Sequence, residues 1–267
     1  MLDALERFAP LPLQEGWDNA GLQIGLTEAE VSGALLCLDV TEKVIDEAID
    51  RGCNLVVSHH PLLFRGLKRI SGDNDVQRSV MKAIKHDIAV ISMHTNMDSA
   101  PGGVNFKIAE RLGAVPAVMA TINPAGKPLG TLTAESASVE KIPWVLARLP
   151  EAMEAGAFVA LVKERFGVKC AHCNELLQRP IQTVAICGGA ADFVLDEAIA
   201  AGADAFITGE MHYHVFFGHE QQIQICVIGH YESEQFTTEV FREIIERECP
   251  GVRCCIAETN TNPIVYV

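Results

Sequence analysis

Three short runs of this chain combine imidazole and carboxylate groups at spacings that suit metal ions: Ser58-His59-His60-Pro61, His94-Thr95-Asn96-Met97-Asp98 and His230-Tyr231-Glu232-Ser233-Glu234. Imidazole and carboxylate without thiolate suit zinc, iron, manganese or cobalt rather than a structural zinc of the cysteine type. Adjacent His59 and His60 at a strand end project in different directions, which fits two ions side by side better than one chelated ion. Two such ions activate water and polarise a substrate oxygen, the basis of metal-assisted hydrolysis. Taken singly, a His–carboxylate pair is more often a helix cap or a surface hydrogen bond than a metal site. Three such clusters at strand ends, two of them related by an internal repeat, favour the metal.

That repeat is explicit. Val44-Ile45-Asp46-Glu47-Ala48-Ile49-Asp50-Arg51-Gly52 recurs as Val194-Leu195-Asp196-Glu197-Ala198-Ile199-Ala200-Ala201-Gly202, identical at six of nine positions. Each copy runs into an apolar strand, Leu55-Val56-Val57-Ser58 or Ala205-Phe206-Ile207-Thr208, and then reaches another that ends in His-x-x-x-carboxylate. Strand patterns at 31–38, 54–58, 88–93, 184–187, 205–208 and 223–228 alternate with helical patterns at 41–51, 76–86, 104–112, 191–201 and 237–248. Continuous apolar strands mark sheets covered on both faces, and the alternation predicts parallel α/β sheets with right-handed crossovers. In such sheets ligands gather at the carboxyl ends of strands, where all three runs fall. The expected division is a first α/β domain over 1–115, a linking region over 116–182 that embellishes the second domain, and a second α/β domain over 183–267. The linking region, with Pro124, Gly126, Pro128 and Gly130, has no counterpart in the first half.

A chain of 267 residues can bury two cores. No apolar run approaches a membrane span, and the N-terminus lacks the basic start and apolar core of a signal peptide. Nine cysteines without regular spacing read as reduced thiols of a cytoplasmic protein. A net charge of −14 argues against nucleic acid and anionic membranes as partners, and the scarcity of Lys and Arg beside the ligand runs argues against a polyphosphate substrate.

Smaller motifs receive plainer readings. Cys187-Gly188-Gly189-Ala190 could place backbone amides on a phosphate, but a tight strand-to-helix turn is preferred. Cys170-Ala171-His172-Cys173 has no second pair to complete a zinc ribbon and reads as an edge strand with structural thiols. Cys254-Cys255 share a strand and face opposite ways. Gly16-Trp17-Asp18-Asn19 reads as a turn anchored by Trp17, with a contact to a metal histidine as the alternative.

The runs at 58–62, 94–98 and 229–234, with Gly16-Trp17-Asp18-Asn19-Ala20-Gly21-Leu22-Gln23-Ile24-Gly25, resemble the Nif-three-like family, often labelled GTP cyclohydrolase I type 2 homologues. The similarity covers nearly the whole chain. It implies two α/β domains with a dinuclear metal centre in the cleft between them, assembled as a toroidal homohexamer. Carried over residue by residue, it implies His59, His60, Asp98, His230 and Glu234 as ligands of the two divalent ions, and His94 close by. Glu210 stands where the family usually has aspartate; His214 matches a family histidine and His212 is extra, which makes Glu210 and His214 candidate contacts behind the ligands. The family label names an activity, but the chain shows neither a Walker-type loop nor a dinucleotide-binding fingerprint, so GTP is weakly supported as a substrate. Three functions follow as expectations: a metal-dependent hydrolase of a small molecule with His94 shuttling a proton, a non-catalytic metal-binding or delivery protein, or a ring-shaped scaffold stapled by metal.

Overall fold

The computed structural model describes residues 1–116 and 143–267, with the backbone alone of 121–122 and 128–129. Of the expected linking region, Pro124, Gly126 and Gly130 therefore lie outside the described residues. Along the chain the elements are α1 (Leu2–Phe8), β1 (Gly21–Ile24), β2 (Gly33–Cys37), α2 (Glu42–Asp50), β3 (Leu55–Ser58), α3 (Asp75–Lys85), β4 (Ala89–Ser92), α4 (Thr95–Ser99) and α5 (Val104–Leu112). They continue with β5 (Val115–Pro116), β6 (Thr121–Ile122), β7 (Pro128–Leu129), β8 (Val145–Met153), α6 (Ala155–Phe166), β9 (His172–Cys173), β10 (Ile181–Ala190) and α7 (Leu195–Ala200). The last are β11 (Ala205–Glu210), β12 (Gln224–Val227), α8 (His230–Glu234), α9 (Thr237–Glu248) and β13 (Arg253–Ile256).

The chain forms two compact α/β units, 1–103 with 236–267 and 104–235. This differs from the expected boundaries at 115 and 182. The C-terminal segment returns to the first unit, because β13 adds parallel to β2 and α9 packs against α1. A linear reading of the chain assigns α9 and β13 to whatever precedes them and misses that return.

In the first unit the sheet order is β1-β4-β3-β2-β13, parallel throughout except for β1 against β4. Every residue of β2 and β3 is buried, as expected for strands covered on both faces. The helix α2 begins where the Thr41 hydroxyl accepts the Val44 amide, and it buries Val44, Ile45 and Ala48 on one face. Burying Ile45 completely contributes about 2 kcal/mol.

In the second unit the order is β5-β8-β10-β11-β12-β9. Only β10, β11 and β12 run parallel; β8 and β9 flank them antiparallel, supplied by 143–182 together with α6. The order β12-β11-β10 repeats β4-β3-β2, so the sequence duplication is also a duplication of topology. The repeated helical segment is shorter in the second copy, where a 3-10 turn over Asp192–Val194 precedes α7.

Candidate metal centre

In the first unit the groups follow the carboxyl ends of β2, β3 and β4. The peptide after β3 turns sharply, held by the Ser58 hydroxyl donating to the His60 carbonyl at 2.9 Å and meeting the Ser92 hydroxyl at 2.8 Å. Pro61 then prevents the ladder from continuing. The ring of His59 is fully buried and its Nδ1 donates to the Met93 carbonyl at 2.9 Å. His60 Nδ1 donates to Asp39, just beyond β2, at 2.7 Å, and Asp39 also accepts from the Thr261 hydroxyl at 2.6 Å. His94 caps α4 with its ring turned to Asp18, Nδ1 to Oδ1 at 2.7 Å; the amide of Thr95 donates to the other oxygen of Asp18 at 3.0 Å. The ring centroids of the three histidines lie 4.9, 5.3 and 5.4 Å apart, with ligand nitrogens within 4.8 Å of one another. Asp98, one turn along α4, brings Oδ1 to 3.6 Å from His59 Nε2.

The carboxylates behind these rings stay ionised. Burial of Asp18 favours its neutral form, but hydrogen bonds from His94 and Thr95 and the charge of His94 bring its pKa down to about 2. Asp39 is likewise lowered: burial opposes ionisation, and the hydrogen bond and charge of His60 outweigh it.

The second unit holds its groups differently. His230 and Glu234 are i,i+4 on α8, with Nε2 and Oε2 3.2 Å apart, while His230 Nδ1 meets Glu210 at the end of β11 at 3.2 Å. Gly188 and Gly189 lie inside β10, where the register with β11 shifts, rather than in a turn. Their amides donate to Asn105 Oδ1 at 2.9 Å and Ser233 Oγ at 3.0 Å, so the phosphate reading and the tight-turn reading both give way. Glycine is required at 189 for another reason. With φ at +65°, a Cβ there would meet Glu234 Oε1 at 2.5 Å.

These features fit divalent metal. In all four histidines Nδ1 is tied to a carbonyl or carboxylate, which fixes the tautomer with the lone pair on Nε2. Nε2 of His230 and Oε2 of Glu234 are both lone-pair atoms, and facing one another they suit a shared cation. The donors are nitrogen and oxygen without sulfur, as zinc, iron, manganese and cobalt accept.

Comparison with known proteins identifies the family and the fold. The model of the family described as Duf34/NIF3 (NGG1p interacting factor 3) matches residues 1–263. The chain belongs to this family. A Clostridium perfringens protein named GTP cyclohydrolase 1 type 2 homolog is 31% identical over all of this chain and 98% of its own length. Among solved structures, Staphylococcus aureus hypothetical protein SA1388 superposes with a TM-score of 0.85 at 26% identity, covering 100% of this chain and 97% of that one. A Bacillus cereus protein related to NIF3 gives 0.80 at 26% identity, over 99% and 97%.

Within the family frame, the residues found from the sequence divide clearly. His59, His60, His94 and Asp98 gather in the first unit, and Glu210, His230 and Glu234 in the second. His214 is placed otherwise: its described ring contacts are Tyr213 and Phe217, on a 3-10 turn over Tyr213–Phe216. The extra His212 meets Asp192. Asp39 escaped the sequence reading; its only signal is an acid just past the carboxyl end of an apolar strand. Asp18 forms the expected turn, accepting from the Asn19 amide at 2.7 Å, yet it also holds His94. Trp17 is no buried anchor, since it is 61% exposed and stands with Phe64 edge-on beside His94.

Proposed function

We propose that this protein is a metal-dependent hydrolase in which His59, His60, Asp98, His230 and Glu234 hold two divalent ions, zinc, iron, manganese or cobalt. The observation that carries this reading is the anchoring of Nδ1 in all three histidine ligands, so that each ring is oriented before an ion binds. When bound, the ions supply Lewis acidity and activation of water. His94 is the proton carrier. Asp18 holds Nδ1 and orients the ring, which leaves Nε2 as the atom that takes up or releases a proton.

The exposed rings of Trp17 and Phe64 beside His94 offer a flat apolar surface to a small-molecule substrate with a planar or apolar portion. The name carried by the clostridial relative points to purine-ring chemistry. The Gly188 and Gly189 amides are engaged with side chains, and no phosphate cradle is drawn from them. We place the protein in the cytoplasm as a homohexamer of the family's toroidal kind. Among the described residues no helix is long and apolar enough to cross a membrane.

The test is elemental analysis of the purified protein beside His59→Ala and His230→Ala, one ligand from each unit, followed by a screen of ester, amide and purine substrates. Two equivalents of metal per chain, reduced by either substitution, with turnover on some member of the screen, is the expected result. Two equivalents with no turnover would leave a metal-binding or delivery protein. Absence of metal after incubation with all four ions would overturn the reading.

A further inference from the structure

The second sheet carries a thiol pair that the metal chemistry does not use. Cys173 on the edge strand β9 and Cys226 on β12 are direct partners in the antiparallel register, with His172 opposite Val227 beside them. Directly opposed residues of antiparallel strands have Cα atoms about 4.5 or 5.5 Å apart. Both spacings fall within the roughly 4.4–6.8 Å over which a disulfide closes without backbone movement. Set opposite each other in the ladder, the two thiols lie close enough to shift each other's ionisation. Of the nine cysteines, Cys226 is fully buried and Cys173 is partly open to solvent, so the pair joins an accessible sulfur to a protected one.

The two thiols are not equivalent. The hydrogen bond from Cys226 favours the Cys173 thiolate, burial opposes it, and the positive charge of Lys163 near the end of α6 adds to the favourable side, leaving the Cys173 pKa below that of an ordinary thiol. Cys226 moves the other way and stays protonated, since its hydrogen bond to Cys173 and its burial both favour the neutral form. Cys53, by contrast, is pushed up by burial.

We propose that Cys173 and Cys226 form a peroxide-sensitive dithiol that closes to a cross-strand disulfide. The Cys173 thiolate attacks hydrogen peroxide, forming an S–O bond and breaking the O–O bond, to give Cys173 sulfenic acid and hydroxide. The sulfur of Cys226 then displaces the hydroxyl, its proton leaving with that oxygen as water, and the S–S bond forms. Peroxide is reduced by two electrons and the thiol pair is oxidised by two. The bond fastens the edge strand β9 to β12, whose continuation reaches His230 three residues after Val227.

The test treats the full-length protein with graded hydrogen peroxide, alkylates the remaining thiols, and maps peptides without reduction by mass spectrometry. The expected result is a peptide pair joined through Cys173 and Cys226, lighter by two hydrogens, at lower peroxide than any other change of a cysteine. With Cys226→Ala the cross-link is absent and Cys173 is trapped by dimedone as the sulfenic acid; Cys173→Ser abolishes both products. The wild-type map stands without the variants should either fold poorly. Oxidation of Cys170 or linkage of Cys53 to Cys255 while Cys173 and Cys226 both remain alkylatable would overturn the proposal, as would a Cys170–Cys173 bond in its place.

Discussion

By register, Cys37 and Ser58 are partners in the first sheet as Cys187 and Thr208 are in the second. Two residues further on by chain count, Asp39 matches Gly189 and His60 matches Glu210, although one extra residue in β10 makes Ala190 the partner of Glu210. In the first unit the acid after β2 holds the imidazole after β3. In the second the matching position, Gly189, is stripped to glycine so that Glu234 can approach, and the acid at the end of β11 holds an imidazole from α8. The motif His-x-x-x-carboxylate also diverges. His230 is the first residue of α8 and meets Glu234 across one turn, whereas His94 precedes α4 with non-helical backbone, so it turns to Asp18 and Asp98 turns to His59. The offset is one residue: two positions past the strand end, the cap of α8 is Gly229, with φ at +102°, whereas the cap of α4 is His94 itself. A duplicated scaffold fixes where ligands arise; a cap residue decides what each one touches.

If the shared spacing meant a shared role, His94 and His230 would behave alike on mutation. They are expected to differ. His94→Ala lowers turnover by about 10²–10⁴-fold with metal content unchanged, while His230→Ala loses metal; parallel kinetic and elemental measurements decide. A fall in metal content for both would make His94 a ligand and erase the distinction.

The acids behind the rings sharpen the contrast. Asp39→Ala is expected to weaken zinc binding toward the upper end of the roughly 10–100-fold range for such supporting groups, and Glu210→Ala toward the lower end. The Asp39 contact is 2.7 Å and better shielded, while Glu210 is 60% exposed at 3.2 Å. Competition titrations with a chelating dye would show the order, and equal losses would mean that the two units anchor their imidazoles equally well.

Protonation gives a further handle on the first unit. Asp18 has a folded pKa depressed from 3.8 to about 2, so its contribution is complete above pH ~4 and disappears as pH falls through ~2. Its side chain is fully shielded, and the shift corresponds to about 2 kcal/mol as an upper figure. The stability gap between wild type and Asp18→Asn, read from urea midpoints, should therefore shrink as pH is lowered through this window; a constant gap would place the interaction elsewhere. The smallest effect belongs to Gly189→Ala, expected to cost about 1–2 kcal/mol through its positive φ and the displaced Glu234. Gly202→Ala is its control: φ is +75° but nothing lies within 4 Å of the added carbon, so strain alone remains.

Much of this was legible in the chain. Apolar runs such as Leu55-Val56-Val57-Ser58, punctuated by helices with one apolar face, specify a covered parallel sheet because both signals are local. The histidines stood out because chemistry-bearing residues cluster at strand ends. What stayed hidden depends on contacts far apart in sequence. The return of β13 to β2 joins residues more than two hundred positions apart, and Asp39 gains its partner Thr261 by the same return. Trp17 looked like an anchor because large aromatic residues are usually well buried, and only the fold reveals it exposed beside His94. The pairing of Cys173 with Cys226 requires the register of β9 against β12, which no spacing in the chain encodes.

The most direct test of the central claim is anomalous X-ray diffraction from crystals of the zinc- or manganese-loaded protein. Two adjacent peaks bonded to Nε2 of His59, His60 and His230 and to oxygens of Asp98 and Glu234, with every Nδ1 still on its carbonyl or carboxylate, is the predicted result. Peaks bonded through Nδ1, or placed away from these five residues, would contradict it.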